Sequence, residues 1–317
     1  MNKKNITTFK FLFSCFFVIF LIWKSEPKLI LKLITSCNFI YLYISIFLFL
    51  FIVIIGVYRW KLLLSQVLIK SSFSELTKLI LLSQFGNVFI PGGFWGDLMR
   101  GLKLKKKSST SKGIASVFID RVLGIFGFIF LGFIMLPFAS QFLKRSLFIF
   151  LLIIFSSIIV LVFLVFYYGK FQQLIINILS SKRKIIKKLK QFYLDVIFQA
   201  NNNNVTIFKA FIISLIANFI NIFVFYFISK ALGNSVSLIY FFLFIPIIIV
   251  ISRIPISFQG LGLREAGFIV LFAKSGLTRS QSLSISLLYF TIILTVALLS
   301  GIIYFIWNHF GEESTTI

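Results

Sequence analysis

The sequence predicts an all-α protein, a polytopic transmembrane helix bundle with about seven full spans and two re-entrant or broken helices. Three observations predict it. The 317 residues are 59% hydrophobic, with a mean hydropathy of +1.05. Several apolar runs exceed the roughly 18 residues that mark a spanning helix. The charged residues collect between those runs and at a few points inside them. Water-soluble fold classes are thereby set aside.

The elements follow in chain order. Residues 2–10 are basic and 11–23, "FLFSCFFVIFLIW", form a short apolar core resembling a signal peptide. The flank "KSEPK" lacks a small-residue cleavage site, so this is an uncleaved first span near 6–23. Further spans are expected near 39–57, 114–138, 146–168, 205–228, 236–252 and 283–307, all within one integral membrane domain, 1–317. Two segments, 76–90 and 254–273, are apolar but too short or broken to cross cleanly, and each abuts a Gly-rich polar cluster. Irregular backbone at membrane depth survives only inside protein or beside a wet cavity, so both are expected to be re-entrant. The alternative is a helix lying flat on the bilayer.

The net charge is +24. In a polytopic protein basic residues gather in cytoplasmic loops against anionic headgroups, which argues against nucleic acid as a partner. Residues 58–78, 100–112 and 169–190 carry most of the positive charge, whereas 139–145 and 229–235 carry little. The expectation is a cell-membrane protein with a cytoplasmic N-terminus; seven crossings would then leave "GEESTTI" outside. Residues 182–197 align Ile185, Leu189, Phe192 and Val196 on one helical face, an amphipathic surface helix. Only Cys15, Cys37 and His309 could serve as soft ligands, so no disulfide framework, metal site or cofactor is expected.

Polar residues inside apolar segments single out candidate sites. Asp97, Asp120 and Glu265 lie in or beside such segments. An ionised side chain at the bilayer centre costs about 2.5–3.5 kcal/mol on insertion scales, so each needs partners or water. Lysine outnumbers arginine 24 to 8, yet Arg100, Arg121, Arg253 and Arg264 fall near these acids. A planar guanidinium grips phosphate or carboxylate with two parallel hydrogen bonds, which an ammonium cannot do.

Three clusters result. The first is Pro91, Gly92, Gly93, Gly96, Asp97 and Arg100, where the last two share a helical face. The second is Asp120 and Arg121 with Gly124; adjacent helical residues diverge by about 100°, so each must find partners on other helices. The third is Gly260 and Gly262 ahead of Arg264 and Glu265, where free N–H groups at a helix start suit a phosphate. Structural roles remain open for each: an N-cap at Asp97, an ion pair fixing helix order at Asp120.

These motifs carry a resemblance. "IPGGFWGDLMRGLKLKKK", then "GIASVFIDRVLG", then "IPISFQGLGLREAGFIVLFAKSGLTRSQSLSISLLY" resemble the lysylphosphatidylglycerol synthase transmembrane region family of flippase-like proteins, from about residue 40 onward. Trp95 and Gln259 depart from it where glycines are usual. The resemblance implies a domain handling anionic or polyprenyl lipids, without the fused synthase domain. It implies functional roles for Asp97, Arg100, Asp120, Arg121, Arg264 and Glu265. The expected function is a lipid translocase. A partner presenting lipid to a separate glycosyltransferase or synthase is the alternative, and an intramembrane transferase a third. No Walker motif occurs, and enzymatic activity is not expected.

Overall fold

The computed structural model describes residues 19–90, 95–104, 110–140, 145–180, 183–253 and 260–313. The helices, in order, are α1 (Pro27–Thr35), α2 (Phe39–Ser65), α3 (Phe73–Phe89), α4 (Trp95–Lys103), α5 (Thr110–Ala139), α6 (Arg145–Tyr167), α7 (Gly169–Ile178), α8 (Lys184–Asn202), α9 (Asn204–Ala231), α10 (Leu238–Ser252), α11 (Leu263–Phe272) and α12 (Arg279–Glu313). The all-helical membrane bundle expected from the sequence is therefore what these residues form. A helix satisfies its own backbone hydrogen bonds, which a hydrocarbon environment requires.

Among the described residues, Phe39–Ser65, Thr110–Phe138, Phe148–Tyr167, Asn204–Ala231 and Arg279–Trp307 are long and apolar enough to cross a membrane. Most of the span expected near 6–23 lies outside the described residues. Two other expectations change. The segment 58–78 is not a loop: α2 continues to Ser65, with Val57, Trp60, Leu63 and Leu64 buried, and only 66–72 lack helix before α3.

The segment 236–252 is the second change. It contains α10, whose 15 residues cover about 22 Å, short of a hydrocarbon core of about 30 Å. Instead α10 and α11 run antiparallel. Phe241 and Phe244 near the start of α10 meet Phe272 at the end of α11, with ring centroids 4.9 and 5.4 Å apart. A side chain at Gly267 would meet Ile248 at 3.2 Å, and one at Gly260 would meet the Ser252 carbonyl at 2.6 Å. The pair is a hairpin with its tip near Gly260.

The end of α3 and the start of α4 also approach closely. A Cβ at Gly96 would collide with the Ser83 carbonyl, and one at Gly86 would come within 2.9 Å of the Gly96 Cα. Backbone therefore rests on backbone, which only glycine permits. Residues 91–94, including Gly92 and Gly93, lie outside the described residues.

The chain divides into two compact units. The first comprises Met1–Val53, Leu81–Gly96 and Asn218–Ile317; the second comprises Ile54–Ile80 and Asp97–Ala217. The first has an aromatic core in which Phe225, Phe241, Phe244, Phe268 and Phe272 are fully buried. The second is built on Leu63, Ala115, Ile119, Leu123, Val196 and Ala210. In it, α8 packs through Val196 and Ala200 while Ile185 and Leu189, at its N-terminal end, stay exposed. Only half of the amphipathic face expected at 182–197 is thus used by the protein itself.

Candidate functional site

The second unit holds a chain of ion pairs drawn from three helices. It begins at Arg59 on α2, whose Nε donates to Asp120 Oδ1 on α5 at 2.6 Å and whose Nη1 donates to Ser214 Oγ at 3.0 Å. The other Asp120 oxygen accepts from Arg100 Nη2 on α4 at 2.8 Å. Arg100 also lies 3.0 Å from Asp97 Oδ1, three residues earlier on the same helix. Asp97 Oδ2 in turn accepts from Arg121 Nε on α5. The order is Arg59, Asp120, Arg100, Asp97, Arg121: three positive charges against two negative.

Local sequence builds this geometry. Gly101 on α4 faces Gly113 on α5 so closely that a Cβ at Gly113 would stand 2.5 Å from the Gly101 carbonyl oxygen, bringing Arg100 within reach of Asp120. Gly124 lies against the Arg59 guanidinium, where a Cβ would stand 3.7 Å from it, ordinary contact. Trp60 is fully buried beneath the Arg100 guanidinium, 4.7 Å from ring centroid to Cζ, and its Nε1 donates to Ser116 Oγ at 3.2 Å. Asp97, Arg100 and Asp120 are all less than 10% exposed. The Arg121 side chain, at 20%, is the most accessible of the five.

The first unit holds a separate group at the tip of the α10–α11 hairpin. Gly260 and Gly262 have φ of 73° and 87°, the left-handed region that favours glycine. The Gly262 N–H donates to Glu265 Oε2 at 2.6 Å. Glu265 Oε1 accepts from Arg264 Nη2 at 2.6 Å and from Ser286 Oγ on α12 at 2.9 Å. Arg264 Nε reaches Ser286 Oγ at 2.9 Å, and its guanidinium lies 5.2 Å from the Phe290 ring centroid. The helix-start N–H of Gly262, expected from the sequence to be open to a phosphate, meets the chain's own carboxylate.

The predicted residues therefore fall into two groups. Asp97, Arg100, Asp120 and Arg121 come together in the second unit; Gly260, Gly262, Arg264 and Glu265 come together in the first. Asp120 and Arg121 do find their partners on other helices. Arg253 caps the end of α10 with an exposed side chain. Arg59 is the residue that sequence reasoning missed. It falls in a segment expected to be a basic loop, although it is one of only eight arginines in a lysine-rich chain, the signal that singles out the others.

The fold and these groups define a multi-pass helical membrane protein with ionic side chains held in its interior. The chain belongs to the lysylphosphatidylglycerol synthase TM region family, whose model matches residues 8–301. No curated protein matches the chain. The family ties it to lipid handling.

Proposed function

We propose that this protein is a flippase-like lipid translocase that moves an anionic phospholipid or a polyprenyl-phosphate-linked lipid across the cell membrane, with no enzymatic chemistry of its own. The observation that carries this reading is the buried chain of three arginines and two aspartates. Its five members sum to one positive charge. A phosphodiester bears one negative charge and two oxygens matched to a guanidinium fork. Arg121, the most accessible member, is the group that meets it; Asp97 holds Arg121 in place and is itself bound by Arg100, which Asp120 links to Arg59. The acyl or prenyl tails stay in the bilayer. The Arg264–Glu265 pair satisfies itself, so its role is to fix the hairpin tip against α12.

A second reading, a membrane partner that presents lipid to a separately encoded synthase or glycosyltransferase, is favoured by the family description, which couples this membrane region to a lipid synthase. An intramembrane transferase is disfavoured because Asp120 and Glu265, its candidate bases, are both bound by arginines. The excess of lysine and arginine in 169–190 supports a cytoplasmic position for α7 and α8, and a cytoplasmic N-terminus follows from a first span near 6–23.

The test is reconstitution of the purified chain in liposomes containing fluorescent phosphatidylglycerol or a labelled polyprenyl phosphate. The wild type should accelerate transbilayer movement of one of them over empty liposomes. Arg121→Gln should slow that movement by about tenfold or more, the loss of one charged hydrogen bond at about 1.5–3 kcal/mol. Equal rates for wild-type and empty liposomes with both lipids would end the translocase reading. A folded Arg121→Gln with full activity would remove Arg121 from the site.

A further inference from the structure

The second unit contains a feature that the ion-pair chain does not use. A cavity of about 420 Å³ lies between α5, α6 and α9, with the end of α8 at one side. Phe126, Phe163, Phe166, Phe208 and Phe211 supply much of its wall. Phe163 and Phe208 are also strongly exposed, so the cavity is a groove that opens on the outer face of its helices. These helices are among those long and apolar enough to cross a membrane. A space of this size and apolarity does not hold ordered water, which needs two to four polar partners. Hydrocarbon is the medium that fills it.

One end of the groove differs from the rest. Tyr167 and Asn204 line it, where α6 stops and α9 starts. The Phe166 carbonyl there accepts from Gln172 Nε2 on α7 at 2.6 Å and from Asn201 Nδ2 on α8 at 3.0 Å. These two bonds tie the α7–α8 segment to the polar end. Residues 169–190 contain no aspartate or glutamate. Lys170, Arg183, Lys187 and Lys188 in that stretch are all exposed. A basic segment of this density beside a hydrocarbon groove favours a lipid with a negatively charged headgroup.

We propose that this groove is a binding site for a resident anionic phospholipid, with one acyl chain against the phenylalanines and the phosphate under the basic α7–α8 segment. It is distinct from the ion-pair chain. Ile119, Val122, Leu123 and Phe126 of α5 face the groove, whereas Asp120 and Arg121 make their pairs with α2 and α4. Steps of about 100° per residue set Arg121 on the opposite side of α5 from the groove's centre. A lipid in the groove is accordingly a fixed constituent, independent of any lipid that the arginines handle. The exposed apolar residues Leu174, Ile178, Ile185 and Leu189 of α7 and α8 then rest on the same leaflet.

Native mass spectrometry of the full chain in detergent, titrated with palmitoyl-oleoyl phosphatidylglycerol or phosphatidylcholine, tests this. The wild type should retain one phosphatidylglycerol about tenfold more tightly than phosphatidylcholine. Val162→Trp with Ile207→Phe, which fills the groove, should abolish retention, and Arg121→Gln should leave it unchanged. Lys187→Glu with Lys188→Glu, at exposed positions that spare the fold, should remove the preference for phosphatidylglycerol, and it decides the matter if the filled variant does not fold. Undiminished retention in the filled variant overturns the proposal, as does equal retention of the two lipids by the wild type. Loss of retention in Arg121→Gln would put the lipid at the ion-pair chain, sinking this inference and leaving the translocase reading intact.

Discussion

Asp120 is the residue on which most of the buried charge depends, because among the described residues it alone pairs with Arg59, and it shares Arg100 with Asp97. Removing one partner of a buried pair strands the other, at a cost of about 3–5 kcal/mol. Asp120→Asn keeps the shape and removes the charge, so its thermal midpoint in detergent should fall well below that of Glu26→Gln, a change at an exposed position. The two arginine groups should respond differently. Arg264→Gln leaves Glu265 buried with Ser286 and the Gly262 N–H but without its cation. It should therefore melt early, yet retain transport per folded molecule, whereas Arg121→Gln should melt near wild type and lose transport. Parallel melting curves and liposome assays check this; the same ranking in both would remove the distinction drawn between the groups. At this scale the sequence was informative where helical geometry decides. Residues 100° apart had to seek separate partners, and three residues apart had to meet. Arg59 escaped notice because hydropathy ends a span at its first cation, and a cation paired inside the protein looks the same in sequence as one facing water.

Helix contacts in this protein rest on glycines placed where two backbones touch. Gly113 presses on the Gly101 carbonyl, whereas Gly56, also in a helix, has open space for 4 Å around the point where a Cβ would stand. Gly113→Ala should cost about 1–3 kcal/mol through overpacking. Gly56→Ala should leave stability unchanged or raise it, since alanine is the better helix former. Differential scanning fluorimetry of the two variants tests the contrast, and equal midpoints would mean that α4 and α5 do not meet at this point. Transport should fall with Gly113→Ala as well, because the same contact sets Arg100 against Asp120. Apolar runs predicted where the long helices lie, with ends off by several residues. Hydropathy carries no direction, however, and α10 reads as a span although its rings return to α11. Gly260 and Gly262, in the left-handed region just ahead of α11, are the break that the sequence marked but could not orient.

For the whole molecule, the α10–α11 hairpin decides on which side the chain ends. Because α10 and α11 run antiparallel, the chain leaves the hairpin at the level where it entered, near Ser237. Ala231 is at that level too: the end of α9 and the start of α2 meet there, through the Asn38 N–H and the Ala231 carbonyl at 2.8 Å. From there α12, 35 residues and about 50 Å long, crosses once. With the hairpin crossing not at all and α12 once, the end of α12 belongs on the side opposite Asn234. Seven crossings would have put it on the other side. Single cysteines at position 234 and in the tail, introduced after removal of Cys15 and Cys37, test this by labelling with a membrane-impermeant maleimide. Position 234 and the tail should label from opposite sides. A tail that labels together with 234 would mean that α10 crosses the membrane, and the ring-to-ring return to α11 would then have to be abandoned.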